Sequence, residues 1–226
     1  NSKTLYPYFA LVKTGIVAYE KGKGDPKQTQ KMIDDRIYHS VKKENDNFIK
    51  YLEGADVNRY LIDWSKLYVK YGKNLAAPRN SKLFNSSRIL VRQIPSKPPY
   101  CISASFVKSQ YINDRNSMNI IDIKIEYRIL LGIINSKLIS FWFIIRFAKL
   151  QRDLFPQFKL NELEKFPIPN INNKKKANDL ISLVDQVLKK PEDHKLNNKI
   201  DTLVYDFFSI SSEDQNYIEN YLNKFV

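Results

Sequence analysis

Residues 129–148, ILLGIINSKLISFWFIIRFA, leave this chain few ways to fold. A run this apolar must leave water, and either a bilayer or a protein core can receive it. Asn135, Lys137 and Arg146 interrupt it, and each is costly at the centre of a bilayer. Asn135-Ser136 also supplies a natural helix stop and a fresh N-cap. The run therefore predicts two consecutive buried helices, and no membrane partner is expected.

A core able to hold such a pair needs a sheet or further helices around it, and 226 residues suffice without a disulfide or metal staple. The single cysteine, Cys101, rules out an internal disulfide and fits a reducing, cytoplasmic setting. Nothing in the early run YPYFALVKTGIVAY reads as a signal peptide, since Lys13 breaks it and no basic start precedes it. Because the first residue is Asn1 and not Met, a piece of a longer chain is expected.

Before the apolar run, short stretches rich in Val, Ile, Tyr and Phe alternate with turn residues, as strands do. KTGIVAYE, RYLIDW, RILVRQI, YCISASFV and NIIDIKIEY are the examples. In the last, Ile121, Ile123 and Ile125 are expected on one face, with Asp122, Lys124 and Glu126 on the other. Residues 127–155 read as helical. Past FPIPNINNKKK (166–176) the spacing is helical again: a stripe over 180–188 ended by Pro191, a second over 196–207, and a third opened by Ser211 as cap. The expected fold is α+β, with a sheet-rich body and helical wall over 1–170 and a small helical unit over 171–226. The apolar stripes of that unit must pack on the body or on a neighbouring part of a longer chain.

Net charge is +13, and its placement says more than its size. Residues 1–170 hold 29 Lys and Arg against 15 Asp and Glu, whereas residues 171–226 hold 8 against 9. Between Asp63 and Asp114 no acidic residue occurs, while Lys66, Lys70, Lys73, Arg79, Lys82, Arg88, Arg92, Lys97 and Lys108 do. A merely solvated surface interleaves both signs, so this stretch points to a polyanionic partner.

Enzymatic readings fare worse. IPSKPPYC (94–101) carries the Pro-Pro-aromatic element of DNA amino-methyltransferases, but Lys97 stands where an acceptor side chain would hold the target amino group. Lysine has no acceptor atom, so the loop cannot do that work. EKGKGDPKQT (20–29) has neither the helix a nucleotide-binding glycine turn needs nor a Walker A ending; it reads as a turn presenting Lys21, Lys23 and Lys27. Asp114, Asp122 and Lys124 have a spacing that metal-dependent nucleases use, yet solvation alone produces the same pattern on an amphipathic strand. His39 and His194 lie in polar contexts and read as surface residues; with one cysteine they make no zinc cluster or nucleophilic triad.

What remains is a nucleic-acid surface. Arg88 and Arg92, four apart on a strand, are expected to point the same way roughly 13 Å apart. Gln28, Gln30, Gln93, Asn113 and Asn116 offer amide forks, and Arg79, Arg88, Arg92 and Arg115 offer guanidinium forks for bases or phosphates.

YLEGADVNRY (51–60), KYGKNLAAPRNSKLFNSSRILVRQIPSKPPYC (70–101), YINDRNSM (111–118), LLGIINSKLISFWF (130–143) and KLQRDLFPQFKLNELEKFPIP (149–169) follow one another in an order that resembles a known family. It is the TaqI-like specificity domain at the C-terminal end of type IIG restriction–methyltransferase proteins, and IDTLVYDFFSISSEDQNYIE (200–219) is similar to the segment closing those chains. The resemblance implies a non-catalytic target recognition domain of a bacterial-type enzyme. A separate upstream domain would bind S-adenosylmethionine and methylate adenine N6, with Mg²⁺ required if a nuclease is fused. Double-stranded DNA and that upstream domain are the implied partners, and no cofactor is expected in this domain. The candidate DNA contacts are Lys21, Lys23, Lys27, Gln28, Arg79, Arg88, Arg92, Gln93, Lys97, Arg115 and Asn116. An enzyme acting alone, an RNA-binding module and a protein-interaction module are the competing readings.

Overall fold

The computed structural model describes residues 2–108, 111–148 and 157–225. The architecture is α+β: two four-stranded sheets, one behind the other, with a helical wall on the outer face of the first.

The first sheet has the order β2 (Leu11–Thr14), β11 (Ser117–Ile121), β8 (Arg88–Arg92), β9 (Ala104–Val107), all antiparallel. Its central strand is covered on both faces. Ile89 and Val91 join the main core under the helices, while Leu90 joins a second cluster with Leu52, Val57 and Val107. Alternation along the strand therefore turns Arg88 toward the second sheet, the face away from the helices. That second sheet has the order β10 (Tyr111–Asn113), β4 (Phe48–Leu52), β7 (Tyr68–Lys70), β3 (His39–Ser40), with β10 parallel to β4. Short ribbons complete the body: β5 (Val57–Asn58) pairs with β6 (Leu61–Ile62), and β1 (Ser2–Thr4) with β12 (Pro167–Pro169).

The apolar run forms α4 (Tyr127–Ile134) and α5 (Lys137–Phe147), bent by 58° at the Asn135-Ser136 break. Both break residues are fully buried. Asn135 clamps the wall to β9: its amide donates to the Ala104 carbonyl, and its oxygen accepts from the Ala104 N–H, both at 2.9 Å. Ser136 caps α5 by accepting from the Ile139 N–H. Among the described residues, no single helix is long and apolar enough to cross a membrane, and six consecutive residues of α4, Ile129–Ile134, are buried in the core.

The tail forms α7 (Lys174–Val187), α8 (His194–Phe207) and α9 (Ser212–Asn223), the last capped by Ser211 as its sequence predicts. Their stripes pack on the body: α7 lies on α4, and α8 and α9 lie on α5. Leu180, Val184, Ile200, Val204, Ile218 and Leu222 belong to the same core cluster as Ile89 and Ile120.

Two expectations fail locally. NIIDIKIEY is not one strand, because β11 ends at Ile121 and Asp122 takes a left-handed conformation (φ +51°) that ends the extended run. KTGIVAYE is a strand only as far as Thr14, after which Ile16 and Val17 each make one isolated bridge, to Asp114 and Ala77.

Candidate nucleic-acid interface

The segment from Lys13 to Gln28 is a spine to which distant parts of the sequence attach. Gly15 makes this possible. A Cβ there would sit 2.0 Å from the Asp114 carbonyl oxygen and 2.3 Å from that of Asn113, so only glycine lets the β10–β11 turn lie against it. The Ile16 N–H donates to the Asn113 carbonyl (2.9 Å), and Val17 exchanges hydrogen bonds with Ala77. Arg79 donates to the Gly15 carbonyl and to Thr14 Oγ1. The fully buried Gln28 then closes the lysine turn from within. Its amide donates to the Ala18 and Asn74 carbonyls, and its oxygen accepts from the Glu20 N–H. Lys21, Lys23 and Lys27 are left exposed, and the Asp25 N–H, bonded to the Lys73 carbonyl, holds that loop beside a fourth lysine.

Two clefts flank the spine. One, of about 410 Å³, is lined by Lys13, Thr14, Arg79, Asn80, Lys82 and Asp122, so three cations face one carboxylate. The other, of about 310 Å³, is walled by Arg36 and His39 on one side and Asp114, Arg115 and Asn116 on the other. Here burial pushes the Asp114 carboxyl up to about 6, against the hydrogen bonds from Asn116 that favour its charge. Burial, helped by the nearby Arg36 charge, pulls His39 down to about 4. The Tyr19 hydroxyl accepts from the Tyr38 N–H and shares a hydrogen bond with His39 Nδ1 (2.8 Å), which fixes the ring in the cleft wall.

Residues 49–168 match the TaqI-like C-terminal specificity domain, just over half of the chain. The chain belongs to that family. It is similar to a putative type II restriction enzyme and methyltransferase from Methanocaldococcus jannaschii, with 33% identity over 201 residues that cover 83% of this chain and 17% of that protein. The chain thus spans about a sixth of its curated relative. Among solved structures it resembles the type IIL restriction–modification enzyme MmeI in complex with DNA, with a TM-score of 0.57 at 10% identity, over 96% of this chain and 35% of that one. At that identity the likeness speaks for the fold alone.

The family-matched region contains both supports and overturned expectations. Arg88 is fully buried and cannot touch DNA. Its guanidinium donates to Asn119 Oδ1 and to the carbonyls of Phe84, Ser86 and Tyr111, tying the two sheets together. Gln28, before that region, is excluded in the same way, and Asn113 is spent inside the β10–β11 turn on the Ser117 and Asp114 oxygens. Arg92 and Gln93 are half-buried next to that turn, with the Gln93 N–H donating to the Asn116 carbonyl (2.7 Å). Gln30 is exposed, its amide donating to Asp34 within a short helix.

Lys97 is exposed on a loop fixed to the helical wall rather than to the spine. Tyr100 of that loop donates to buried Asp201 (2.7 Å) and stacks under the Arg59 guanidinium at 3.7 Å, and the Cys101 N–H donates to Ser140. The Pro-Pro-Tyr element is therefore tied into the internal packing of the helical wall. The nuclease constellation also comes apart, since Asp114 and Asp122 line different clefts. Among the described residues no group of three or more His, Cys, Asp or Glu could hold a metal ion. His39 is not the surface residue its context suggests, whereas His194 is exposed.

Lys13, Arg36 and Lys82, absent from the candidates named from the sequence, also line these clefts. Lys82 lies in the acid-free stretch and was within reach. Lys13 and Arg36 are ordinary surface cations until the fold sets them beside Arg79 and Arg115.

Proposed function

We propose that this chain is the sequence-recognition part of a restriction–modification enzyme. It grips duplex DNA and positions it for adenine-N6 methylation carried out by another part of the enzyme. The observation that carries this is family membership together with the run of exposed cations along one spine: the lysine turn, the Lys13–Arg79–Lys82 cleft and Arg115. Phosphate contacts from such groups supply most of the affinity, and a few side chains in the major groove supply the sequence preference. S-adenosylmethionine does not fit the residues here. Gly22 and Gly24 both take positive φ in a turn followed by the five-residue helix α2 (Gln30–Asp34), not the strand–glycine turn–long helix such a cofactor needs. It belongs in this proposal to the methyltransferase domain, as Mg²⁺ would to any fused nuclease.

Salt-dependent binding tests the reading. If about six phosphates are neutralised, a plot of log affinity against log salt for a 30-bp duplex should slope near −5. Lys13→Ala and Lys82→Ala should each make the slope shallower by about one unit and weaken all sequences alike. A slope near zero, preference for structured RNA over duplex DNA, or turnover of DNA by this chain with S-adenosylmethionine and Mg²⁺ would each overturn it.

A further inference from the structure

The β10–β11 turn is braced on both sides and leaves part of one side chain's hydrogen-bonding capacity unused. The Asp114 N–H donates to the Leu52 carbonyl (3.0 Å), the Asn116 carbonyl accepts from Gln93, and a Cβ on Gly54 would lie 2.8 Å from Asn116 Cβ, so strand ends brace the turn from both sides. Inside it the Asp114 carboxylate accepts from the Asn116 N–H (2.9 Å) and from Asn116 Nδ2 (2.6 Å). A carboxylate only accepts, so the amide can point one way alone, with nitrogen toward Asp114. Among the described residues no hydrogen bond occupies Asn116 Oδ1 or the second Nδ2 hydrogen, and the side chain lines the cleft between the spine and the turn. What remains is one acceptor beside one donor, fixed in orientation before any ligand arrives.

That pair matches one base edge. In the major groove adenine offers the N7 acceptor beside the N6 amino donor; guanine offers only acceptors and cytosine only a donor. We propose that Asn116 reads an adenine of the recognised sequence, Oδ1 accepting from N6 and Nδ2 donating to N7, with Asp114 as the positioning residue that aims it. The inference rests on the recognition reading above and assigns a specificity-determining residue within it. Arg115, exposed at the mouth of the same cleft, is placed to hold an adjoining phosphate or guanine edge.

The test is selection from a randomised duplex pool with the full chain, followed by competition binding of the winning sequence and its single-base variants. Wild type should prefer adenine at one position by roughly 5- to 150-fold, the span of a bidentate contact. Asn116→Ala and Asn116→Ser should abolish preference at that position alone, keeping the others and the salt slope. Asp114→Asn should weaken the same preference, because an amide at 114 no longer dictates the orientation of Asn116. A wild-type chain without sequence preference would overturn the recognition reading and this inference with it. Wild-type preference surviving in both Asn116 variants, or loss spread evenly over all positions, would overturn this inference alone. So would failure of both variants to melt cooperatively, which would make the amide a structural brace.

Discussion

Arg88→Ala will cripple the fold and spare the proposed DNA grip. The side chain is fully buried between the two sheets, and its guanidinium serves four oxygens: Asn119 Oδ1 and the carbonyls of Phe84, Ser86 and Tyr111. None of these is a carboxylate, so the charge is held by dipoles and by the Phe84 ring 5.5 Å away. Burial draws its pKa down to about 10, which still leaves it protonated at neutral pH. Truncation strands several buried acceptors at about 1–3 kcal/mol for each one left unpaired, and opens a cavity besides. With partial relaxation, a loss on the order of 4 kcal/mol is expected, or roughly 10 °C in melting temperature for a chain of this size. Arg88→Lys should recover little, since one ammonium cannot reach a fork of four acceptors. Thermal melts followed by circular dichroism measure this. An Arg88→Ala chain that melts like wild type yet loses duplex affinity would return Arg88 to the proposed DNA surface.

That residue also shows where sequence reading ends. The third tail helix was legible because capping is local: Ser211 and Asp214 sit three apart and report their own role. The buried helix pair was legible for the same reason, since Asn135-Ser136 break it from within. Whether an arginine on a strand meets water depends instead on what covers the strand. Here the cover comes from β10 and β4, joined in parallel by the pairing of Tyr111 with Lys50 across sixty residues of chain. No local pattern announces that pairing. Gln28 failed likewise: its amide looks available until Asn74 arrives from a distant loop. The exposure of Lys21, Lys23 and Lys27 is legible in the sequence, because charged tips on a glycine-bearing turn stay outside whatever the rest of the chain does.

The second large effect concerns pH, and there four groups shifted by burial pull against one another. Asp114 and Asp201 both titrate at about 6, raised by burial from an ordinary value near 3.8. The native state therefore binds their protons more tightly than the unfolded chain does. Their contribution to stability is complete below the unfolded value and disappears as pH rises through 6. Asp56 is raised by burial as well and adds in the same direction. His39 has the opposite sign. Lowered to about 4 from 6.5, it stabilises the fold above 6.5 and withdraws that support as pH falls toward 4.

Between pH 8 and pH 5 the two aspartates gain roughly 1.4 kcal/mol each while His39 loses roughly 2 kcal/mol, so wild-type stability should change by only about 1 kcal/mol. Replacing His39 with Gln removes the opposing partner, and acidification over the same range should then stabilise the chain by about 3 kcal/mol. The Asp114→Asn, Asp201→Asn double variant should instead lose about 2 kcal/mol on acidification. Urea midpoints at the two pH values read both directions in one experiment. Two variants that shift with the same sign, or a His39→Gln chain as flat as wild type, would mean that these buried groups do not govern the balance.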